Sequence, residues 1–76
     1  VSKKIVNEHI GQQIKALRRK RNITQVELSQ IMKSTYQQIQ HYEKGRNNIS
    51  ASKLWHFSDA LKCDVSYFFD GLNKKL

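Results

Sequence analysis

Two helix-start signals lie close together in the middle of this chain. Thr24 is followed three residues later by Glu27, and Thr35 in the same way by Gln38. Each pair reads as a capping box: the threonine hydroxyl accepts the third residue's backbone N–H, and the Glu or Gln side chain returns to the cap. The room between them predicts two short helices joined by a connection of about three residues, Lys33, Ser34 and the cap Thr35. Ile23 and Leu28 sit where a hydrophobic staple requires them. Leu28 and Met32 supply the first helix's inward stripe, with the small Ser29 alongside. Ile39 and Tyr42 give the second helix a buried edge, and Gly45 ends it at C′. The side left free by those core positions carries Gln37, Gln38, Gln40 and His41. A connection this short sends the second helix off at a sharp angle to the first.

The flanking sequence supplies the helices that would support this pair. Ile10, Ile14 and Leu17 recur at helical spacing, with Asn7 as the expected N-cap. Arg18, Arg19, Lys20 and Arg21 suit that helix's negative C-terminal end, and Asn22 can take the left-handed conformation that closes it. Gly11 costs the helix roughly 1 kcal/mol relative to Ala and would let a neighbouring helix approach closely. Downstream, Ile49, Ser50 and Leu54 repeat the staple and cap, and Leu54, Phe57 and Leu61 form a core face. Asp64 is expected to cap a last short helix in which Val65 and Phe68 face inward and Gly71 closes the turn. The expected layout is all-α: one domain over 1–76, with an arm at 1–6, a five-helix core at 7–71 and a frayed tail at 72–76.

Composition narrows the chemistry. Fourteen Lys and Arg against six Asp and Glu give a formal charge of +8, a field that draws polyanions to so small a body. Cys63 is the only cysteine, which excludes an internal disulfide and leaves no pair for a redox or zinc motif. It is expected to pack as a small hydrophobe. No run of about eighteen apolar residues is present to span a membrane, and the first residues lack the order of a secretory signal. An intracellular, cytoplasmic protein is expected. His9, His41 and His56 show no metal-ligand spacing, and His9 and His56 read as solvated. No nucleophile, base and orienting group stand out together. Catalysis, a metal and a cofactor are not expected.

Several spaced segments share one resemblance: Ile14…Leu17-Arg18, Thr24-Gln25…Leu28, Thr35…Ile39…Glu43-Lys44-Gly45 and Leu54…Leu61…Val65. Together they resemble the lambda-repressor-like, Xre-type helix-turn-helix family. The run from Tyr36 to Gly45 with Ile49-Ser50-Ala51-Ser52-Lys53-Leu54 is similar to a common bacterial subgroup. The likeness covers Ile10 to Gly71, about four-fifths of the chain. It implies a compact five-helix DNA-binding domain whose third helix enters the major groove of double-stranded DNA. By position it makes Tyr36, Gln37, Gln40 and His41 the base-reading candidates. A glutamine can pair bidentately with adenine N6 and N7, a contact that discriminates by roughly 1–3 kcal/mol. Tyr36 can pack on a thymine methyl or reach a phosphate, and His41 can donate to guanine or phosphate. Gln25, Lys33, Thr35, Lys44, Arg46 and Asn47 become candidates for phosphate contacts, which position without specifying.

The resemblance also implies a structural pair, Arg18 with Glu43, tying the first helix to the end of the third. It implies a homodimer on a pseudo-palindromic operator, acting as a transcriptional repressor. Trp55, Tyr67 and Phe69 would either form the dimer contact or finish the small core. Two departures concern the turn. Lys33 stands where the family usually has Gly, at a cost on the order of 1 kcal/mol if φ is positive. Ser34 occupies a position that is usually apolar. The alternatives are a helix-turn-helix module that holds an antitoxin-like or coactivator-like protein partner, and a nonspecific nucleic-acid binder.

Overall fold

Helix boundaries in this protein are set by the same two devices used four times. A computed structural model describes residues 2–76. Its α-helices are α1 (Lys3–Lys20), α2 (Gln25–Ile31), α3 (Tyr36–Glu43) and α4 (Ala51–Leu61), followed by 3-10 turns at Val65–Phe69 and Leu72–Lys75. Each α-helix opens on a hydroxyl cap in extended conformation: Ser2, Thr24, Thr35 and Ser50. Each hydroxyl accepts a first-turn backbone N–H that has no partner within the helix. Each helix closes on a left-handed residue: Asn22 (φ 57°), Lys33 (φ 53°), Gly45 (φ 73°) and Lys62 (φ 58°). Beyond each, a backbone N–H reaches back across the last turn, from Ile23 to Arg18 O, Ser34 to Ser29 O, Arg46 to His41 O and Cys63 to Ser58 O, at 2.9–3.0 Å. These are Schellman closures, which reverse the chain within one or two residues. Only one of the four left-handed positions is a glycine.

The helices pack around Ile10, Ile14, Leu17, Leu28, Ile39, Leu54, Phe57, Leu61 and Phe68, all buried. Tyr42 is half-buried and meets Phe57 edge-on at 5.7 Å between ring centroids. Met32 and Val65 are likewise half-buried against the core. The end of α3 crosses α1 at Gly11, where an added Cβ would lie 2.3 Å from the Tyr42 carbonyl oxygen. Just past α3, a Cβ on Gly45 would lie 2.6 Å from Glu8 Cα. Gly11 therefore gives up helix propensity in return for the close approach that sets α3 against α1. On another face of α1, Gln13 Nε2 donates to Tyr67 O at 2.9 Å, and Lys75 Nζ donates to Gln12 Oε1 at 3.0 Å.

Four details depart from the sequence expectation. Residues 3–6 are helical and Ser2 is the cap of α1, so the expected arm is the first turn of a helix, Val1 lying outside the described residues. Asn7 lies inside that helix, and its Nδ2 donates to Asn48 Oδ1 at 2.7 Å. His9 is buried (5% exposed), its Nε2–H donating to Asp70 O at 2.7 Å while Nδ1 has no partner. The last helix is a 3-10 turn whose Asp64 makes no side-chain cap bond, and a further 3-10 turn follows at Leu72–Lys75.

Two outcomes follow for stability. Gly11→Ala should lose about 1–3 kcal/mol to overpacking despite its better helix propensity. Thermal melting checks this, and an unchanged Tm would mean that α3 can withdraw from α1 at no cost. Lys62→Gly should raise the Tm by roughly 2–6 °C, because removing the left-handed strain outweighs the added chain entropy of glycine. A fall in Tm would show the entropy effect to be the larger.

Candidate nucleic-acid interface

The α2–turn–α3 unit is held first by local bonds. Glu27 N donates to Thr24 Oγ1 at 3.0 Å, and Thr24 N donates to Glu27 Oε1 at 2.9 Å. In α3, Gln38 N donates to Thr35 Oγ1 at 3.1 Å, and the Gln38 carbonyl oxygen lies 3.5 Å from Thr35 N. The same oxygen accepts from Ser34 Oγ. Ser34 thus occupies its usually apolar position half-buried, with its hydroxyl satisfied by the cap of the next helix. The bonds to Thr24 hold the Glu27 carboxyl below its ordinary value, the backbone N–H contributing more than the hydroxyl.

A buried carboxylate then fixes α3 against the rest of the fold. Glu43 Oε2 accepts from Arg18 Nε at 2.6 Å, and Oε1 accepts from Arg18 NH2 at 3.2 Å. Both residues are buried, and the guanidinium also donates to Ile23 O at 2.8 Å. Gln25 completes the set, its Nε2 donating to Glu43 Oε1 at 2.9 Å. Side chains from α1, α2 and α3 therefore meet at one carboxylate, and the Arg18 guanidinium also ties in the backbone of the α1–α2 connection. Gln25 is a phosphate candidate by position, yet its amide nitrogen is engaged here. Nothing local to Gln25 announces this role, because Glu43 lies 18 residues away.

Outside this knot, α3 presents Tyr36 (41% exposed) and the exposed Gln37. Gln40 and His41 are half-buried. Gln40 Nε2 donates to Tyr36 Oη at 2.8 Å, one turn back along α3. Lys33, Thr35, Lys44 and Arg46 are exposed around the unit, and Asn47 is half-buried. The tie from Asn48 to Asn7 on α1 anchors the loop after α3, and it joins residues 41 apart in sequence. Glu43 is the one acid between Glu27 and Asp59, and Arg18 neutralises it. This surface accordingly carries polar and cationic groups without an exposed carboxylate on α3 or its flanking loops. Elsewhere, His56 is exposed and stacks edge-on against Trp55. Half-buried Cys63 has its thiol value raised by burial, which favours the unreactive protonated form at neutral pH. Among the described residues no group of three His, Cys, Asp or Glu side chains gathers as a metal site. No described helix is long and apolar enough to cross a membrane.

A helix-turn-helix family model matches residues 14–68. The chain belongs to the helix-turn-helix family. A protein of Sinorhizobium fredii described as an uncharacterized HTH-type transcriptional regulator is 46% identical over 70 residues, covering 91% of this chain and 49% of that protein. A protein of Rhodospirillum rubrum, described as an uncharacterized transcriptional regulator in the ATPase CF(0) region, is 39% identical over 69 residues, covering 91% of this chain and 64% of its own. The chain spans about half the length of the first of these relatives. The crystal structure of the clp gene regulator ClgR from C. glutamicum superimposes with a TM-score of 0.85 at 20% identity, covering 93% of this chain and 92% of that one. The restriction-modification controller protein C.AhdI from Aeromonas hydrophila gives 0.77 at 21% identity, over 82% and 94% of the two chains. These likenesses agree on a helix-turn-helix domain of the kind that transcriptional regulators carry.

Removing the central carboxylate tests the knot. Glu43→Ala should cost about 3–5 kcal/mol, because it strands the buried Arg18 charge. The Tm should fall without any nucleic acid present, and a wild-type Tm would count against this assignment. Glu27 gives a pH signature. Its folded value is depressed, so the cap's stability is present above the ordinary carboxylate value near 4.5 and is lost as the pH falls through the folded value. Glu27→Gln should flatten this acid limb of the Tm–pH curve, and an identical limb would place the dependence elsewhere.

Proposed function

We propose that this domain binds double-stranded DNA sequence-specifically, laying α3 in the major groove and acting within a transcriptional repressor. The supporting observation is the α3 surface: Tyr36, Gln37, Gln40 and His41 stand on a helix whose lone acid is buried and neutralised. Gln37 offers an amide that can pair bidentately with adenine, and His41 offers a donor for guanine or phosphate. Gln40 has one amide hydrogen committed to Tyr36 and keeps its carbonyl oxygen for a donor on a base edge. Lys33, Thr35, Lys44, Arg46 and Asn47 ring this helix and would grip the backbone on either side. A short reading helix covers few base pairs, so a useful operator calls for two copies on a pseudo-palindrome. Trp55, 55% exposed, and Phe69, 41% exposed, are the aromatic groups available for self-association. Tyr67 is half-buried against the core and contributes less surface. Such a regulator would work in the cytoplasm.

Selection of bound duplexes from a random pool at near-physiological salt tests this reading. A two-fold symmetric enriched motif is the expected result. A retained but flat pool would indicate nonspecific binding, and no retention would point to a protein partner. With the motif known, Gln37→Ala combined with His41→Ala should lower discrimination at the contacted positions by roughly 1–3 kcal/mol per lost base contact, with the fold retained. Unaltered base preference in that variant would sink the assignment of α3 as the reader.

A further inference from the structure

We propose that the cleft between the end of α2 and the flank of α4 holds a small organic acid, and that its occupant draws Lys33 away from DNA. The site stands apart from the DNA-binding reading above; only the effect on DNA rests on that reading. α2 and α4 scarcely meet, and the space between them is a cleft of about 380 Å³. That size falls within the range of ligand pockets, roughly 300–1,000 Å³. Ile31, Met32 and Ala60 supply its apolar surface, and Ile31 is 53% exposed there. Met32 and Ala60 pack against the core behind them, so the floor is fixed.

The rim selects the ligand's charge. Lys33, Lys53 and His56 line the same cleft, with Asp59 as its one acid. Lys53, His56 and Ala60 follow one another at three- and four-residue spacing, which puts them on one face of α4. Asp59 lies six residues beyond Lys53, about 9 Å along the helix, so the Lys53 end is cationic. Among the described residues the only ion pair is Arg18–Glu43, which leaves both lysines without a charged partner. Lys53 is half-buried, its stem adding apolar wall. Trp55 meets the His56 ring edge-on at 5.5 Å and steadies it beside the cleft. An apolar body bearing one carboxylate satisfies both floor and rim. An amine would meet the lysines as a like charge, and inorganic phosphate would leave the floor wet. Lys33 is the left-handed residue of the α2–α3 turn, two residues before Thr35, the cap of α3. It is also a phosphate-contact candidate, and one ammonium does not serve the acid and the duplex at once. Occupancy and DNA binding then oppose each other by the same factor in both directions.

Titration of the free chain with hydrocinnamate, followed by NMR at the Ile31, Met32 and Ala60 methyl groups, tests the site. The corresponding alcohol and amine carry the same apolar body with a neutral and a cationic head. The acid should move these methyl signals saturably and bind about tenfold more tightly than the alcohol, the worth of one charge-assisted hydrogen bond. The amine should bind more weakly still. Lys53→Gln should remove the preference for the acid, and Ala60→Leu should fill the cleft and abolish binding of all three, each variant's fold being checked by its Tm. Absence of saturable shifts, equal binding of the amine, or an unchanged acid preference in Lys53→Gln overturns the site. At matched ionic strength, saturating acid should weaken duplex binding and lower the slope of log K against log salt by about 0.9 per bound copy, one phosphate contact. Lys33→Gln should show that lower slope without the acid and no further response to it. A filled cleft with unaltered duplex binding overturns the coupling through Lys33. If the wild-type chain binds no duplex, the DNA reading falls and the coupling with it, while the methyl titration still decides the site.

Discussion

The Glu43 carboxylate is the constraint on which the interface geometry depends. It is the last residue of α3, at the helix's negative end, and it is buried. Both circumstances oppose an ionised acid. The offset comes from the Arg18 fork and the Gln25 amide, which reach it from α1 and α2. A buried charge with several directional partners tolerates little displacement, so α3 is set in angle and depth against both supporting helices. Apolar packing at Ile39 alone would allow rotation that a hydrogen-bonded carboxylate does not.

Helix ends supply the second constraint. Three of the four left-handed closures use Asn22, Lys33 and Lys62 in place of glycine. Lysine at a C-terminal end places its charge near the negative pole of the helix, which returns part of the conformational cost. The Schellman closures satisfy terminal carbonyls and turn the chain at once, so the loops stay short and few backbone groups require water. This economy lets a small chain bury a shared core while keeping α3's outer surface clear of supporting structure.

What could be read from the sequence follows from the range of each interaction. The boxes at Thr24 and Thr35 and the closures at Asn22 and Gly45 span a few residues, and local spacing carries them, whereas the left-handed Lys62 has no residue signal of its own. The start of α1 was open locally, because Ser2 and Asn7 are both competent caps. The longer helix forms because Ser2 captures Lys4 N and the turn at Lys3–Val6 continues the ladder. His9 reads as solvated from its neighbours alone, yet Asp70, 61 residues away, folds back to meet it. Gln25 and Asn48 likewise acquire partners through tertiary packing that spacing does not encode. The α3 surface was legible because it is defined by what its core residues leave free.

Under the proposed DNA-binding reading, charge and hydrogen-bonding capacity are divided across this surface in a way that would separate affinity from selectivity. On α3, Tyr36, Gln37 and Gln40 are uncharged, so their contacts are short-ranged and depend on angle. The cations Lys33, Lys44 and Arg46 stand at its margins, where a phosphate backbone would run beside a groove-bound helix. Neutral readers gain little from a duplex of the wrong sequence, since an unmatched amide leaves a desolvated donor or acceptor without a partner. Marginal cations gain the same from every duplex through counterion release. Under the proposed reading, each added backbone contact deepens specific and nonspecific binding together and leaves their ratio to α3. In that reading, gripping residues can accumulate around α3 without altering which sequence is chosen, so a large positive charge would be compatible with a selective reader.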